Sequence, residues 1–173
     1  MARQIVFTPN AAKPPPTYSQ AIKAAGLVFV SGTAPTDPVT GAITGTTIQE
    51  QTRQCLSNIQ AILEAAGSSL DKIVSVTVVL AEEDDFTGMN EEWLKWFPSD
   101  PPARQGAKLP ARIPGLKVSI AAIAEASPFA GADSHRHGTW PASPWFLSSA
   151  SRAKRHPGAR ASAQTLGRTC PAD

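Results

Sequence analysis

The sequence predicts an α+β domain in which two helices cover one face of a mixed β-sheet. Two segments, residues 47–67 and 85–97, repeat apolar side chains at spacings of three and four, which is typical of amphipathic helices. Shorter apolar runs with β-branched residues predict strands at 4–8, 27–32, 73–80, 103–109 and 117–124. Helices that are apolar on one side only, among several strands, favour one sheet with both helices on the same face.

The N-terminal region alternates short apolar runs with turn signals. The run at 4–8 is closed by Pro9, and the Ala- and Pro-rich segment 11–16 is expected to be an extended loop. Gly26 precedes an apolar strand that ends at Gly32. Two further turn signals within residues 33–45 predict either a hairpin with a third strand or an excursion between strands.

The first helix has recognisable signals at both ends. The sequence from Thr47 to Glu50 matches a capping box, in which a threonine hydroxyl and a glutamate satisfy the first free backbone N–H groups. Gly67 is expected just after the last helical residue. The polar side chains that interrupt the apolar repeat are expected on the solvent face; they are Gln51, Arg53, Gln54, Gln60 and Glu64.

The second helix follows a β-branched strand and an acidic run. The run at 82–85 suits a helix N-terminus, where the macrodipole favours negative charge. The expected apolar face of this helix consists of Phe86, Met89, Trp93 and Phe97. Apolar residues at both odd and even positions of 73–80 predict that both sheet faces are buried. A partner subunit is the simplest cover for the face opposite the helices.

The charge and histidine content divide the chain into two parts. Residues 1–126 have a net charge of −2 and no histidine, whereas residues 127–173 have a net charge of +4 and all three histidines. We therefore expect a domain at 1–126 and a disordered, low-complexity basic tail at 127–173. The absence of histidine argues against a histidine triad, a Cys–His pair or a zinc site in the domain.

The remaining global features predict a cytoplasmic protein. The two cysteines form no framework, and no apolar run is long enough to span a membrane. The N-terminus lacks a secretion signal and the Arg- and Ser-rich character of a transit peptide, although a mitochondrial location is not excluded. The net charge of the domain makes nucleic acid an unexpected partner.

Few side chains in residues 1–126 are suited to chemistry. Arg104 follows two prolines at the start of a predicted strand, where its planar fork could receive a carboxylate. Tyr18, the only tyrosine, lies in a Pro-rich loop and offers a ring and a hydroxyl. Ser31, Asn90 and Ser119 complete the candidate set. A purely structural role is the alternative for each residue taken alone.

The order of motifs along residues 4–126 resembles the Rid family, also called YjgF or RidA. The similarity extends through YSQA at 18–21, VFVSGTAPTDPVTG at 28–41, and the segment 51–80 that ends in IVSVTVVL. It continues through DDFTGMNEEW at 84–93, PPARQGAKLP at 101–110 and VSIAAIAEA at 118–126. The tail has no counterpart in that pattern.

The resemblance implies a chorismate-mutase-like fold and a homotrimer with clefts between subunits. It also implies hydrolysis of reactive 2-imino and 2-enamino acids, such as 2-aminoacrylate, to 2-oxo acids and ammonia, without a metal or cofactor. Arg104 resembles the arginine that holds the substrate carboxylate. Backbone groups at Gly106 resemble those that contact the substrate nitrogen or water. Tyr18, Ser31 and Asn90 match positions near the substrate, Tyr18 from a neighbouring subunit.

Two departures from the family pattern leave the activity open. Pro16-Thr17 replaces the usual Gly-Pro before the tyrosine, and Ser119 occupies the place of a glutamate that positions water. A serine can hydrogen-bond water but cannot take its proton as a carboxylate does, so we expect reduced or altered turnover. One alternative is a non-catalytic module that binds small carboxylates in the same cleft. Another is RNA cleavage or translation inhibition, which the family resemblance also allows.

Overall fold

A computed structural model describes residues 2–110 and 113–127 of the chain. Most of the predicted disordered tail therefore lies outside the described residues. The division into a domain at 1–126 and a tail remains a prediction.

The described residues form six strands and two helices. The strands are β1 (Gln4–Val6), β2 (Ala21–Ala24), β3 (Leu27–Thr33), β4 (Ile73–Leu80), β5 (Ala103–Lys108) and β6 (Val118–Glu125). The helices are α1 (Ile48–Ala65) and α2 (Phe86–Trp96), and 3₁₀ turns at Leu70–Lys72 and Glu83–Asp85 precede β4 and α2.

All six strands belong to one sheet, in the order β1-β2-β3-β6-β4-β5. β4 and β5 are parallel, and every other neighbouring pair is antiparallel. The parallel pair arises because α2 lies between β4 and β5 in the chain and carries the backbone back to the end of the sheet where β4 begins. The α+β class with a mixed sheet is thus confirmed, and β5 is an edge strand.

The sequence left residues 33–45 open between a hairpin and an excursion between strands, and the third N-terminal strand of the main sheet lies elsewhere. Residues 33–45 form a turn region with one bridge, between Thr36 and Ile43, rather than a strand of the main sheet. The strand is β2, whose short sequence AIKA carries little β propensity. It forms because it pairs with β1 on one side and β3 on the other. Ala25 and Gly26 both have positive φ, as a tight two-residue hairpin loop requires.

The expected caps of α1 are confirmed. The Thr47 side chain accepts from the Glu50 N–H, and Glu50 Oε2 accepts from the Thr47 N–H at 3.0 Å. Gln51, however, is buried rather than solvent-facing. Its side chain donates to the Gly45 and Gly115 carbonyls at 3.1 and 2.7 Å and accepts from the Lys117 N–H at 2.9 Å. A single amide therefore ties two loops to α1.

The expected apolar face of α2 is only partly buried. Met89 and Trp93 are buried in the core together with Phe97, which follows the helix, but Phe86 is 50% exposed. Phe86 is the first residue of α2, beside the edge strand β5, where no further strand within residues 2–110 and 113–127 covers it.

The two faces of the sheet differ in burial. Side chains on the face toward the helices are almost fully buried; they include Val28, Val76, Val78, Val118 and Ile120. On the other face Ile5 is 62% and Phe29 40% exposed, and Ser75, Thr77 and Val79 of β4 are half-buried. Within one chain, the prediction that both faces of residues 73–80 are buried therefore holds for the face toward the helices and not for the opposite face. No helix in the described part of the chain is long and apolar enough to cross a membrane.

Candidate active site

Arg104 lies on the edge strand, on the side that faces the helices. Its Cα partner across the parallel pair is Val76, which is 1% exposed on the helix side of β4. Paired residues of neighbouring strands point to the same face, so Arg104 points toward α2. Because no strand of the described residues lies beyond β5 in the sheet, the arginine stays open to solvent at the sheet edge.

Residues of α2 hold the Arg104 guanidinium. Nη2 donates to Asn90 Oδ1 at 2.7 Å, and Nη1 lies 3.6 Å from Met89 Sδ. The Cζ atom is 5.0 Å from the Trp93 ring centroid and 6.0 Å from that of Phe86, within the range of cation–π attraction. A guanidinium has five N–H donors, so most of them remain available to a ligand.

Gly106 lies two residues along β5 from Arg104, beside an open groove. The groove has a volume of about 610 Å³. Leu80, Phe86 and the acidic residues 82–83 line one part of it, and Gly106, Ala107 and Lys108 line the rest.

The backbone of Gly106 faces the free edge of the sheet. Leu109 donates its N–H to the Leu80 carbonyl at 2.7 Å, which continues the parallel ladder. N–H and C=O groups alternate sides along a strand, so the odd-numbered residues of β5 bond β4. Those of Gly106 therefore point outward, away from β4, where no strand of the described part of the chain pairs with them and a ligand can use them.

Ser31 lies in β3 and bonds the two residues that follow Tyr18. The Ser31 hydroxyl donates to the Ser19 carbonyl at 2.7 Å, and its N–H donates to the Gln20 carbonyl at 3.0 Å. These two bonds fix the segment that carries Tyr18, which is 50% exposed. Ser31 thus has a clear structural role in addition to any contact with a ligand.

Ser119 lies on the opposite face of the sheet from Arg104. Its partner on β4 is Val79, and its neighbours on β6, Val118 and Ile120, are buried on the helix side. Ser119 Oγ is close to β3, because a Cβ placed on Gly32 would lie 3.2 Å from it.

The separation between Ser119 and Arg104 follows from the strand register. Arg104 pairs with Val76 and Ser119 with Val79, three residues further along β4. The two residues are therefore separated by about 10 Å in the direction of the strands. Perpendicular to the strands, the two spacings from β6 to β5 add a separation of about 10 Å. Within one chain they cannot contact the same small molecule.

The six candidate residues thus form two groups. We call Arg104, Asn90 and Gly106 the arginine half-site, and Tyr18, Ser31 and Ser119 the serine half-site. The residue patterns alone did not indicate this division, because they do not show which residues of different strands point to the same face of the sheet.

Glu92 supports the arginine half-site and was missed by the sequence analysis. It is 1% exposed, and its carboxylate accepts from Arg53 Nε at 2.8 Å and Nη2 at 3.0 Å, from Lys95 at 2.8 Å and from Trp96 Nε1 at 3.3 Å. The bond from Arg53, with the help of Lys95 and Trp96, lowers the pKa of Glu92 to about 2 despite its burial. The pair joins α1 to α2, the helix that holds Arg104.

Two carboxylates just before α2 form ion pairs with lysines. Glu83 pairs with Lys108 at 3.2 Å, and Asp85 with Lys117 at 3.2 Å. No group of three metal-ligating side chains occurs within residues 2–110 and 113–127. Burial raises the pKa of the Cys55 thiol, which disfavours its thiolate form.

Comparisons with known proteins agree with this architecture. The family model described as Endoribonuclease L-PSP matches residues 8–126. The chain is 46% identical over 123 residues to the "RutC family protein PH0854" of Pyrococcus horikoshii, covering 70% of this chain and 97% of that protein. It is 38% identical over 122 residues to "Reactive Intermediate Deaminase A, chloroplastic" of Arabidopsis thaliana, covering 70% of this chain and 65% of that protein.

A solved structure shows the same fold. The Rid family protein YyfA of Yersinia pestis superimposes with a TM-score of 0.68 at 35% identity, covering 72% of this chain and 99% of that one. Together with the family match over residues 8–126, this similarity shows that the chain belongs to the Rid (YjgF) family.

Proposed function

We propose that the protein hydrolyses reactive 2-imino and 2-enamino acids to 2-oxo acids and ammonia. The observation that carries the proposal is the exposed Arg104 guanidinium, held by Asn90 and two aromatic rings beside the free backbone of Gly106. The name of the Arabidopsis relative, a reactive intermediate deaminase, supports the same reaction class.

Arg104 is suited to bind the substrate carboxylate. The bond to Asn90 occupies one N–H of Nη2 and restricts rotation of the guanidinium. The remaining N–H groups can form two parallel bonds to a carboxylate, which fixes both its position and its plane. Such orientation supplies much of the rate gain available for a small substrate.

The reaction itself requires little from the protein. The oxygen of water bonds to C2 of the imine while the nitrogen takes a proton, giving a carbinolamine. The C–N bond then breaks, ammonia leaves, and the hydroxyl loses its proton to become the carbonyl of the 2-oxo acid. The free N–H and C=O of Gly106 are placed to bond the substrate nitrogen or the attacking water. An enamine first takes a proton at C3 to become the imine.

A second copy of the chain is needed to complete the site. Ser119 lies too far from Arg104 to act on the same molecule within one chain, and Ser31 lies on β3, one strand further away in the sheet. The sheet face that carries Ser119 also exposes apolar side chains, including Ile5 and Phe29. We propose a homotrimer in which these faces meet, so that Tyr18, Ser31 and Ser119 of one copy approach Arg104 of another. Native mass spectrometry would test the trimer.

Ser119 makes this deaminase slower than one with a carboxylate at the same place. Its hydroxyl can hydrogen-bond a water molecule but cannot accept a proton from it near neutral pH. The water must therefore lose its proton to the substrate nitrogen or to solvent.

A coupled assay tests the proposed activity. A threonine dehydratase would generate 2-aminoacrylate or 2-iminobutanoate, and the decay of the imine would be followed with and without the protein. We expect faster decay than in buffer, and loss of the acceleration in Arg104→Ala. If the wild-type protein does not exceed the uncatalysed rate, the protein is not a deaminase of these substrates.

Two other functions are distinguished by simple measurements. A non-catalytic module would bind 2-oxobutanoate in calorimetry without accelerating imine decay, and Ser119 is the residue that favours this alternative. RNA cleavage is suggested by the description of the family model, but the net charge of −2 on residues 1–126 disfavours phosphate binding. We also propose a cytoplasmic location, with a mitochondrial one as the alternative, and fractionation of cells would distinguish the two.

A further inference from the structure

A second groove lies at the opposite end of β4 from the groove beside Gly106. It has a volume of about 590 Å³ and is bordered by the end of α1, the turn that precedes β4 and the loop that joins α2 to β5. Ile73, the first residue of β4, lines this groove, whereas Leu80, the last residue, lines the other. The two residues are about 23 Å apart along the strand, so a ligand in this groove leaves the proposed substrate site free.

The floor of this second groove is largely apolar. Ile73 and Phe97 belong to the buried core, and Leu70, Trp96 and Pro102 are half-buried where they line the groove. A volume of about 590 Å³ is within the range of about 300–1,000 Å³ that suits small ligands. The floor can therefore cover the hydrocarbon part of a small molecule.

The rim of the groove carries negative charge. Glu64, Asp71 and Asp100 are exposed and line it, and no lysine, arginine or histidine of the described residues does so. Lys72 follows Asp71 in the chain, but it donates to the Ser127 hydroxyl and is not a lining residue. We call this groove, lined by residues 60–73 and 96–102, the acidic groove.

Elsewhere on the domain, grooves that contain carboxylates also contain lysines. Lys108 lines the groove beside Gly106 and pairs with Glu83 at 3.2 Å. Lys117 lines a groove formed with residues 113–116 and pairs with Asp85 at 3.2 Å. In both places the protein supplies its own cation.

The carboxylates of the acidic groove have neutral donors instead. The Gln60 side chain donates to Glu64 Oε1 at 2.9 Å, and the Ser69 hydroxyl bonds Asp71 and lowers the pKa of that carboxyl. Such bonds orient a carboxylate without cancelling its charge. The three carboxylates do not form a cluster that could hold a single metal ion.

A rim of separate carboxylates around an apolar floor fits an organic cation with several charges along an aliphatic chain. Each ammonium group can bond a carboxylate, while the methylene groups between them cover apolar surface. The Trp96 ring adds cation–π attraction, for which indole is the best side chain. A hydrated inorganic cation would gain nothing from such a floor.

We propose that the acidic groove binds a linear aliphatic polyamine. Its ammonium groups bond Glu64, Asp71 and Asp100, and its methylene chain lies along Leu70 and Trp96. Because the three carboxylates come from three separate segments of the chain, a ligand with several charges meets more of them than a monoamine does.

Equilibrium dialysis of the full-length protein against spermidine tests the inference, at about 0.15 M salt so that long-range attraction is screened. We expect saturable binding of one spermidine per chain. Asp71→Asn should weaken it about threefold and the double variant Asp71→Asn, Asp100→Asn about tenfold, because each removes one exposed charge pair. Asp100 has a φ of 49°, which asparagine also tolerates, so neither substitution threatens the fold.

Asp84→Asn serves as the matched control. It removes the same charge from an exposed carboxylate outside the acidic groove, and spermidine should bind as it does to the wild type. Equal weakening by Asp84→Asn and Asp71→Asn would mean that spermidine follows the overall charge of the domain, and would overturn the site.

Two competitors test the chemical class of the ligand. Mg²⁺ at equal charge concentration should leave most of the spermidine bound, and its displacement would show that charge alone is recognised. A tetra-arginine peptide should bind no more tightly than spermidine; binding more than about tenfold tighter would assign the groove to a basic protein segment instead. Absence of saturable spermidine binding overturns the inference outright. Since the measurement uses no imine, its outcome is independent of the proposed hydrolysis.

Discussion

The two half-sites are built in different ways. In the arginine half-site, side chains of α2 contact the guanidinium of Arg104 on β5: Asn90 Oδ1 accepts a 2.7 Å hydrogen bond from it, and the ring of Trp93 packs against it. In the serine half-site, Ser31 bonds backbone carbonyls at residues 19 and 20, and every member is uncharged. The arginine half-site therefore depends on helix placement, whereas the serine half-site depends on backbone pairing.

The largest effect is expected at Arg104, the only charged group of either half-site. Arg104→Ala should reduce kcat/KM at least about 100-fold in the coupled imine assay, because the substrate loses its orienting contact. Arg104→Lys keeps the charge without the planar fork, and its kcat/KM should lie between those of the wild type and Arg104→Ala. Activity of Arg104→Ala within threefold of the wild type would show that the carboxylate binds elsewhere.

The second effect concerns the helix that supports the arginine half-site. Glu92→Gln removes a buried charge that joins α1 to α2, and should lower the free energy of unfolding by about 2 kcal/mol at pH 7. The loss is limited to this size because Arg53 and Lys95 are partly exposed, so solvent screens the ion pairs. Urea denaturation measures this change. Glu91→Gln is the matched control, because Glu91 is an exposed neighbouring carboxylate, and it should change stability by less than about 0.5 kcal/mol.

The pH dependence of stability follows from the same carboxylate. The folded-state pKa of Glu92 is lowered to about 2, below its unfolded value of about 4.3. Its contribution is therefore present above the unfolded pKa and is lost as the pH falls from about 4.3 toward 2. Denaturation curves of the wild type should converge on those of Glu92→Gln in that window; a constant difference down to pH 2 would refute the assignment.

The serine half-site is expected to gain activity from an added carboxylate. Ser119→Glu should raise kcat about tenfold, with a new pH limb from the glutamate, because general-base catalysis becomes available. Ser119→Ala should change kcat by less than about threefold, since a serine contributes at most a hydrogen bond to water. A severe loss in Ser119→Ala would mean that the serine already acts in the reaction.

The smallest effect is expected from removing the hydrogen bond that restricts the Arg104 side chain while keeping the arginine. Asn90→Ala deletes the acceptor of the 2.7 Å bond and should raise KM about fivefold, with little change in kcat. Thr87→Ala, at an exposed position of the same helix, is the control and should leave both constants unchanged. A fall in kcat alone would place Asn90 at the reacting atoms instead.

Local signals predicted most of the fold. The capping box at Thr47, the positive φ of Gly67 after α1 and the β-branched run of β4 are short-range features, and all three are present. The strand β2 was missed, because its sequence gains strand geometry from two neighbours rather than from its own side chains. Gln51 and Glu92 were missed as buried groups for a related reason, since each has partners on a distant segment: Gly115 and Lys117 for Gln51, and Arg53 for Glu92, 39 to 66 residues away along the chain.

The sequence by itself determined the residue types available for chemistry: one arginine at a predicted strand edge, no histidine within residues 1–126, and a serine in place of a glutamate. Only the tertiary structure decided that Arg104 and Ser119 lie on opposite sheet faces, and that the backbone of Gly106 faces the free edge. The physical reason is that side-chain direction on a strand alternates with every residue, so it depends on register, which is set by contacts between distant segments.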